Sequence, residues 1–434
     1  MSHKNHTVKF DRTNPYYNGS VQKLYSVNND PDSLVSETSM GGSVFDVGTI
    51  FAIKGSDTVR AGFRHLVYRS LMDVDEWADM ESYIKTHWGE DYFQNTPIIK
   101  EILEKVKSTG LKTHHKGMIG GDDEKLYASS FPSELSNLTM IKKYNILKPE
   151  PVNFMSAHLY DYEKYYGNDQ FVIPLEQIVR FGVTSGSSIL RKYKASSDSG
   201  KKAYLRELGV ANKLVPWETF DAPLIDLTTK YEPEDRNISR QEALLISGIG
   251  GELFTDSLAR AILASFMVHR IFNRMGLNLW DLKWEIARDG QDLVFVDTLD
   301  TDSVRATLTC HVEGHNYIVN FNKQSMRDYY ILIHDDWYEA VNKTKKEAAQ
   351  TGENFTAILK RGQAEGLYPE TPVVDDAFIK IQEDKYLVIK KFLTEKGSGE
   401  EHKQEIADIA RREVEYFLSS KNKELYKKLN AIDS

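Results

Sequence analysis

The sequence predicts an α+β chain of two unequal lobes followed by a helical extension. Three observations predict it. Residues 17–60 break into short apolar runs punctuated by glycine, as antiparallel strands do. From residue 171 onward, strand alternation and helical periodicity interleave, as expected of a larger mixed lobe. Between these regions Pro149 and Pro151 mark a candidate hinge, which sets the boundaries at 1–148, 149–393 and 394–434.

In chain order, a glycine turn at Asn18-Gly19-Ser20 enters a strand at 23–27, and further strands follow at 43–47 and 49–53. Residues 56–110 read as helical, with Phe63, Leu66, Leu71, Ile99, Ile102, Leu103 and Val106 as candidate core positions. A strand is expected at 140–147, ending before the prolines. The aromatic, polar stretch 160–168 suits an inserted hairpin or loop, and 171–183 reads as a strand running into the turn Thr184-Ser-Gly-Ser-Ser188. Helical spacing of Leu253, Leu258, Ile262, Phe266, Ile271 and Met275, with Gly276 as a stop, predicts a helix over 252–275. Residues 326–344 and 374–393 also read as helical. The tail carries a Gly-Ser-Gly linker and then a charged helix whose stripe is Ile406, Ile409, Val414, Phe417, Leu425 and Leu429. Such a stripe packs on its own domain or takes a partner.

With 55 basic against 64 acidic side chains the net charge is -9, which argues against nonspecific nucleic-acid binding. A single cysteine, Cys310, excludes an intramolecular disulfide and a cysteine-rich zinc site. The N-terminus lacks the apolar core of a signal peptide, and no apolar run approaches the roughly 20 residues of a membrane helix. A cytoplasmic protein without membrane partners is therefore expected. Twelve histidines occur without a metal-ligand spacing, and His114-His115 reads as a turn or pocket pair.

The most informative stretch is 279–305, LWDLKWEIARDGQDLVFVDTLDTDSVR. Leu282, Trp284 and Ile286 point one way, and Asp281, Lys283 and Glu285 the other. A turn at Arg288-Asp289-Gly290 feeds a second run, 293–296, which ends at Asp297, Asp300, Asp302 and Arg305. Acids and cations on one face suit a metal–phosphate site, and the same alternation suits a solvated sheet face. Arg180 with the Ser/Gly turn after it can grip a phosphate or carboxylate. Read alone, Thr228-Thr229-Lys230 through Glu234-Asp235 is a solvated loop, and Ser247-Gly-Ile-Gly-Gly251 is the turn before a helix.

The order of these pieces is more telling than any one. The glycine turn, SVFDVG with Lys54-Gly55, MIKKYNIL, PLEQIVR, LIDLTTKYEPED, DLKWE, VDTLDTDSVR and NKQSMRDY together resemble the SAICAR synthetase family, over about residues 19–393. The resemblance implies a two-lobed α+β fold with a nucleotide cleft between a smaller, β-rich first lobe and a larger mixed one. It also implies ATP-dependent ligation of L-aspartate to the carboxylate of carboxyaminoimidazole ribonucleotide, with Mg²⁺, in purine biosynthesis. A homo-oligomer is compatible with it.

Site roles implied by the resemblance fall residue by residue. Gly19, Ser20 and Lys23 would cover the ATP phosphates, and Lys142 would lie on the strand leading to the adenine. Glu285 would contact the nucleotide or metal, and Asp297 would be the principal Mg²⁺ ligand. Asp281 and Lys283 would orient the imidazole substrate, with Arg180, Ser187 and Arg305 holding its phosphate and carboxylate. Lys230 and Asp235 would close over the reacting groups. The chain departs from the family pattern where GKAK has become Gly19-Ser20-Val21-Gln22, at Met40-Gly41-Gly42, and where an Asp-Glu pair has become Asp297-Thr298. These losses of charge keep two alternatives in play: a related ligase using another acid or amine, and an inactive nucleotide-binding regulator.

Overall fold

A computed structural model describes residues 7–155, 157–395 and 399–432. The larger of two antiparallel-dominated sheets and most of the helices share one continuous apolar core that runs from Val44 to Tyr426, and the smaller sheet packs a second apolar cluster of Tyr25, Val35, Ile119, Leu138 and Met140. The smaller sheet has six strands in the order Tyr17–Asn18, Gln22–Val27, Asp30–Thr38, Leu138–Lys142, His115–Ile119 and Leu126–Tyr127. The larger has nine and is built around Thr219–Thr229, Leu175–Gly182, Asn278–Asp289 and Asp292–Val296. The two-residue strand Lys112–Thr113, which lies before Pro149 in the chain, pairs in parallel with Asp292–Val296 in that larger sheet.

The expected helical stretch resolves into Ser56–Met72, Met80–Asn95 and Pro97–Thr109. Pro97 occupies the first helical turn, where its missing N–H costs nothing. Gly110 ends that helix at φ 64°, where a Cβ would meet the Met72 carbonyl oxygen at 2.2 Å. The helix buries Ile99, Ile102, Leu103 and Val106 and packs on Gly251–Arg274. Each such side chain contributes roughly 1.5–3 kcal/mol of burial. The hairpin turn falls at Gly290-Gln291, with Asp289 opposite Asp292, so Arg288 and Asp289 belong to the strand. Gly290 supplies the positive φ of 65° that the tight turn needs.

Several expected elements differ. The strand expected over 140–147 is Leu138–Lys142, because pairing with Asp30–Thr38 ends at Lys142. The strand expected over 171–183 is divided by Pro174 into Gln170–Val172 and Leu175–Gly182. The helix expected over 326–344 breaks at His334 into Gln324–Ile333 and Asp335–Thr351. Strand Asp30–Thr38 has no expectation to match, since its apolar residues after Pro31 are only Leu34 and Val35, set between the buried serines Ser33 and Ser36. Strand Glu150–Phe154 pairs with Ala157–Asp161 as a separate exposed hairpin. Behind it Tyr162 and Tyr165 are buried.

The linker residues 396–398 lie outside the described residues. Helix Gly399–Leu418 buries Ile406, Ile409, Val414 and Phe417 against Asp376–Thr394 and the large sheet. The stripe stops there. Leu425 and Leu429 are exposed and Tyr426 is buried instead, because a break at residues 419–422 rotates the last helix, Lys423–Asn430. Among the described residues no helix is long and apolar enough to cross a membrane.

Candidate active site

Strand pairing decides which side chains share a face. Arg180 lies opposite Asp281, Ile178 opposite Lys283, and Glu176 opposite Thr228 on the other neighbouring strand. Alternation then puts Glu176, Arg180, Asp281, Lys283 and Glu285 on one side. Trp284 points to the other and donates to Ser265 Oγ at 2.8 Å in the core helix Gly251–Arg274. The polar side forms a wall of a cavity of about 820 Å³, whose opposite rim is made by Ser20, Val21 and Gln22.

At one end of this wall, two lysines alternate with two glutamates. Lys230 Nζ lies 2.8 Å from both Glu176 Oε1 and Glu285 Oε1. Lys283 Nζ lies 2.5 Å from Glu176 Oε1 and 3.3 Å from Glu285 Oε1. Burial pushes the Glu176 carboxyl up, but Lys283 and Lys230 outweigh it and hold the group below its ordinary range. Burial pushes the Lys230 ammonium down, and Glu285 and Glu176 reverse that. Glu285 is pushed up to about 7, first by burial and then by the negative charge of neighbouring Asp297. Burial, then the Glu176 charge, also raises Asp235 on the same wall.

At the other end, Arg180 is buried between two acids, at 2.9 Å from Asp226 and 3.1 Å from Asp281. Asp281 also accepts from Arg305 Nη1 at 3.1 Å, and Arg305 donates to Thr184 Oγ1 at 2.9 Å. The loop between the two ends is anchored by Asp300, which is buried against Arg60 at 3.2 Å and Arg64 at 3.4 Å. Tyr386, from a helix near the C-terminus, donates to Asp302 at 2.8 Å and lines the cavity.

The cavity wall thus includes Ser20, Arg180, Asp235, Asp281, Lys283, Asp297 and Arg305 among the residues singled out in the sequence. Glu285 and Lys230 join them through the lysine–glutamate ring. The solvated-loop expectation over 228–235 holds for only part of that segment: Thr228 and Thr229 end a buried strand and Lys230 is ion-paired inward, while residues 233–235 are exposed. The remaining residues lie elsewhere. Gly19 forms the tight turn behind the rim, its N–H donating to the Gln22 carbonyl at 2.9 Å. Lys23 follows Gln22 in an extended strand and is exposed on the opposite face. Lys142 is 2.6 Å from Asp289 at the far end of the hairpin. Ser187 is fully buried, and it is Ser188 Oγ that accepts from Arg180, at 3.1 Å. His114 and His115 are buried and do not line the cavity.

Sequence reasoning missed Glu176, Arg60, Arg64 and Gln22. Glu176 sits inside PLEQIVR, and its acid within an apolar strand is the signal that could have marked it. No group of three or more His, Cys, Asp or Glu side chains suited to a metal occurs among the described residues. The Glu285–Asp297 pair is nonetheless a fitting donor set for Mg²⁺, which takes one or two carboxylates and fills its remaining positions with water and substrate phosphate.

A family model described as SAICAR synthetase matches residues 15–344. A protein of Archaeoglobus fulgidus, provisionally named a phosphoribosylaminoimidazole-succinocarboxamide synthase, is 26% identical over 244 residues, 56% of this chain and 66% of its own length. The phosphoribosylaminoimidazole-succinocarboxamide synthase of Thermoplasma volcanium is 29% identical over 179 residues, 40% of this chain and 58% of its own length. The chain thus spans a little under two thirds of these curated relatives. A solved structure described as SAICAR synthase of Saccharomyces cerevisiae complexed with SAICAR aligns over 90% of this chain and 98% of its own, at 16% identity and a TM-score of 0.45. The family model reaches from the glycine turn past the acidic loop to the helices behind the cavity, and the chain belongs to the SAICAR synthetase family.

Proposed function

We propose that the chain is a cytoplasmic ligase of purine biosynthesis, joining the amine of L-aspartate to the carboxylate of carboxyaminoimidazole ribonucleotide with ATP. The observation that carries this reading is one polar wall on which the Glu176–Lys230–Glu285–Lys283 ring, through Glu176 and Lys283, and the Arg180–Asp281–Arg305 cluster line the same cavity. Family membership over residues 15–344 supports it.

A carboxylate is a poor electrophile, so the γ-phosphoryl group of ATP is first transferred to one of its oxygens and ADP departs. The aspartate amine then attacks the carbonyl carbon of the acyl phosphate, the C–O bond to phosphate breaks, and inorganic phosphate leaves. Lys230 and Lys283 offset negative charge as it moves across the wall. Asp235, raised by burial, accepts the proton that the attacking amine sheds. Arg180 and Arg305 fix the ribonucleotide at its phosphate and carboxylate. Glu285 and Asp297 would hold Mg²⁺, which when bound neutralises phosphate oxygens. In this reading residues 1–148 supply the nucleotide lobe, 149–393 the substrate and metal lobe, and 394–434 a buttress.

The test is phosphate release by purified protein given ATP, Mg²⁺, L-aspartate and the carboxyaminoimidazole ribonucleotide. Release is expected only when all four are present. Release indifferent to aspartate, or strict preference for another amine in a panel, would overturn the reading.

A further inference from the structure

Asp297 is a non-glycine residue at φ 65°, in the left-handed region that L side chains rarely adopt. Something outside the residue must hold it there. The Tyr68 hydroxyl, on helix Ser56–Met72, lies 3.0 Å from the Val296 carbonyl oxygen and 2.9 Å from that of Asp297. Tyr68 is fully buried, so its single proton is shared between the two carbonyls on either side of the Asp297 N–Cα bond. His114 packs edge-on to the Tyr68 ring at 5.4 Å.

The residue after Asp297 is held as well. Thr298 Oγ1 donates to Gln22 Oε1 at 3.0 Å. The other end of the Gln22 amide donates to Ser36 Oγ. Ser36 Oγ also accepts from Arg64 at 3.3 Å, and Arg64 in turn pairs with Asp300 at 3.4 Å. The segment 296–300 is thus gripped at four consecutive or near-consecutive points by side chains from the first 70 residues.

We propose that Tyr68 is a positioning residue: it holds the left-handed backbone of Asp297 so that its carboxylate meets Glu285, with the Gln22–Thr298 bond as the second clamp. The inference rests on the assignment of Glu285 and Asp297 as cation ligands. It gives the neutral Gln22 of the Gly19-Ser20-Val21-Gln22 turn a role: its carbonyl accepts what the hydroxyl of Thr298 offers, and no charge is needed on either side.

The experiment is titration of Mn²⁺ into full-length protein, followed by calorimetry and electron paramagnetic resonance, with and without β,γ-imido-ATP. Wild type should bind and Asp297→Asn should not. Tyr68→Phe should bind Mn²⁺ about tenfold more weakly, as loss of one buried hydrogen bond implies. Its affinity for the nucleotide without metal should stay within about twofold of wild type. Tyr165→Phe removes another buried hydroxyl, bonded to the Leu147 carbonyl. It should lower Tm without moving Mn²⁺ affinity. If Tyr68→Phe does not fold, Thr298→Val decides, with an expected loss of about threefold. Unchanged Mn²⁺ affinity in Tyr68→Phe or, where that variant does not fold, in Thr298→Val, an equal loss in Tyr165→Phe, or no Mn²⁺ binding by wild type would each overturn the proposal. Wild type that binds Mn²⁺ and nucleotide but forms no amide would instead sink the proposed reaction and leave the positioning role standing.

Discussion

Glu176 touches Thr228, Lys230 and Lys283, so one substitution there reaches both lysines. In Glu176→Gln each lysine loses a counter-charge and its pKa falls. The alkaline limb of the pH–rate profile should therefore move to lower pH, and kcat/KM should fall by about 10²-fold. An unmoved alkaline limb would separate the lysines from turnover. Asp297→Asn should cost about 10²–10³-fold in kcat while nucleotide affinity changes only a few-fold, because metal charge acts on charge that develops during reaction. Arg305→Ala should raise KM for the ribonucleotide with kcat nearly kept, and an unchanged KM would contradict its placement. At this scale the sequence was legible where a strand repeats every two residues, as over 281–286. It was silent on Glu176, because which face that residue occupies depends on register with strands far away in the chain: Glu176 opposite Thr228, and Arg180 opposite Asp281.

Elements near the C-terminus meet the cavity through buried ion pairing. Lys385 Nζ lies 2.5 Å from Glu413, 2.6 Å from the Asn320 carbonyl oxygen and 3.2 Å from Ser325 Oγ. This ties helices Asp376–Thr394 and Gly399–Leu418 to the strand and helix that carry Asn322 and Arg327 to the cavity. Removing one partner strands the other without water, so Lys385→Met should lose roughly 3–5 kcal/mol in denaturant unfolding. The double variant Lys385→Met/Glu413→Leu should recover much of that loss. Helix existence was readable from the apolar stripe Ile406, Ile409, Val414 and Phe417, and its end was not. The break at residues 419–422 and the break at His334 leave little trace in apolar spacing, whereas Pro174 divides its strand by chemistry that any reader can see.

The whole molecule keeps several neutral histidines in its core. Burial lowers His65, His114 and His269 from an ordinary 6.5 to about 4. The unfolded chain takes protons first, so stability is full above about pH 6.5 and declines as pH falls toward about 4. Tm should drop steeply through that window, and His269→Gln should flatten the slope. A Tm independent of pH there would mean that these rings are hydrated. The mixed α+β plan and the helical C-terminal region were legible in composition and punctuation. The crossing of Lys112–Thr113 into the larger sheet was not, since two residues are too few to show a period.

That crossing has a mechanical result. Chain from before the prolines is stitched into the sheet that carries Glu285, immediately beside the strand leading to Asp297. A protease nick in the exposed hairpin Glu150–Phe154/Ala157–Asp161 would cut the covalent link yet leave the seam intact. The two fragments should migrate together on a sizing column at neutral pH and part only in denaturant.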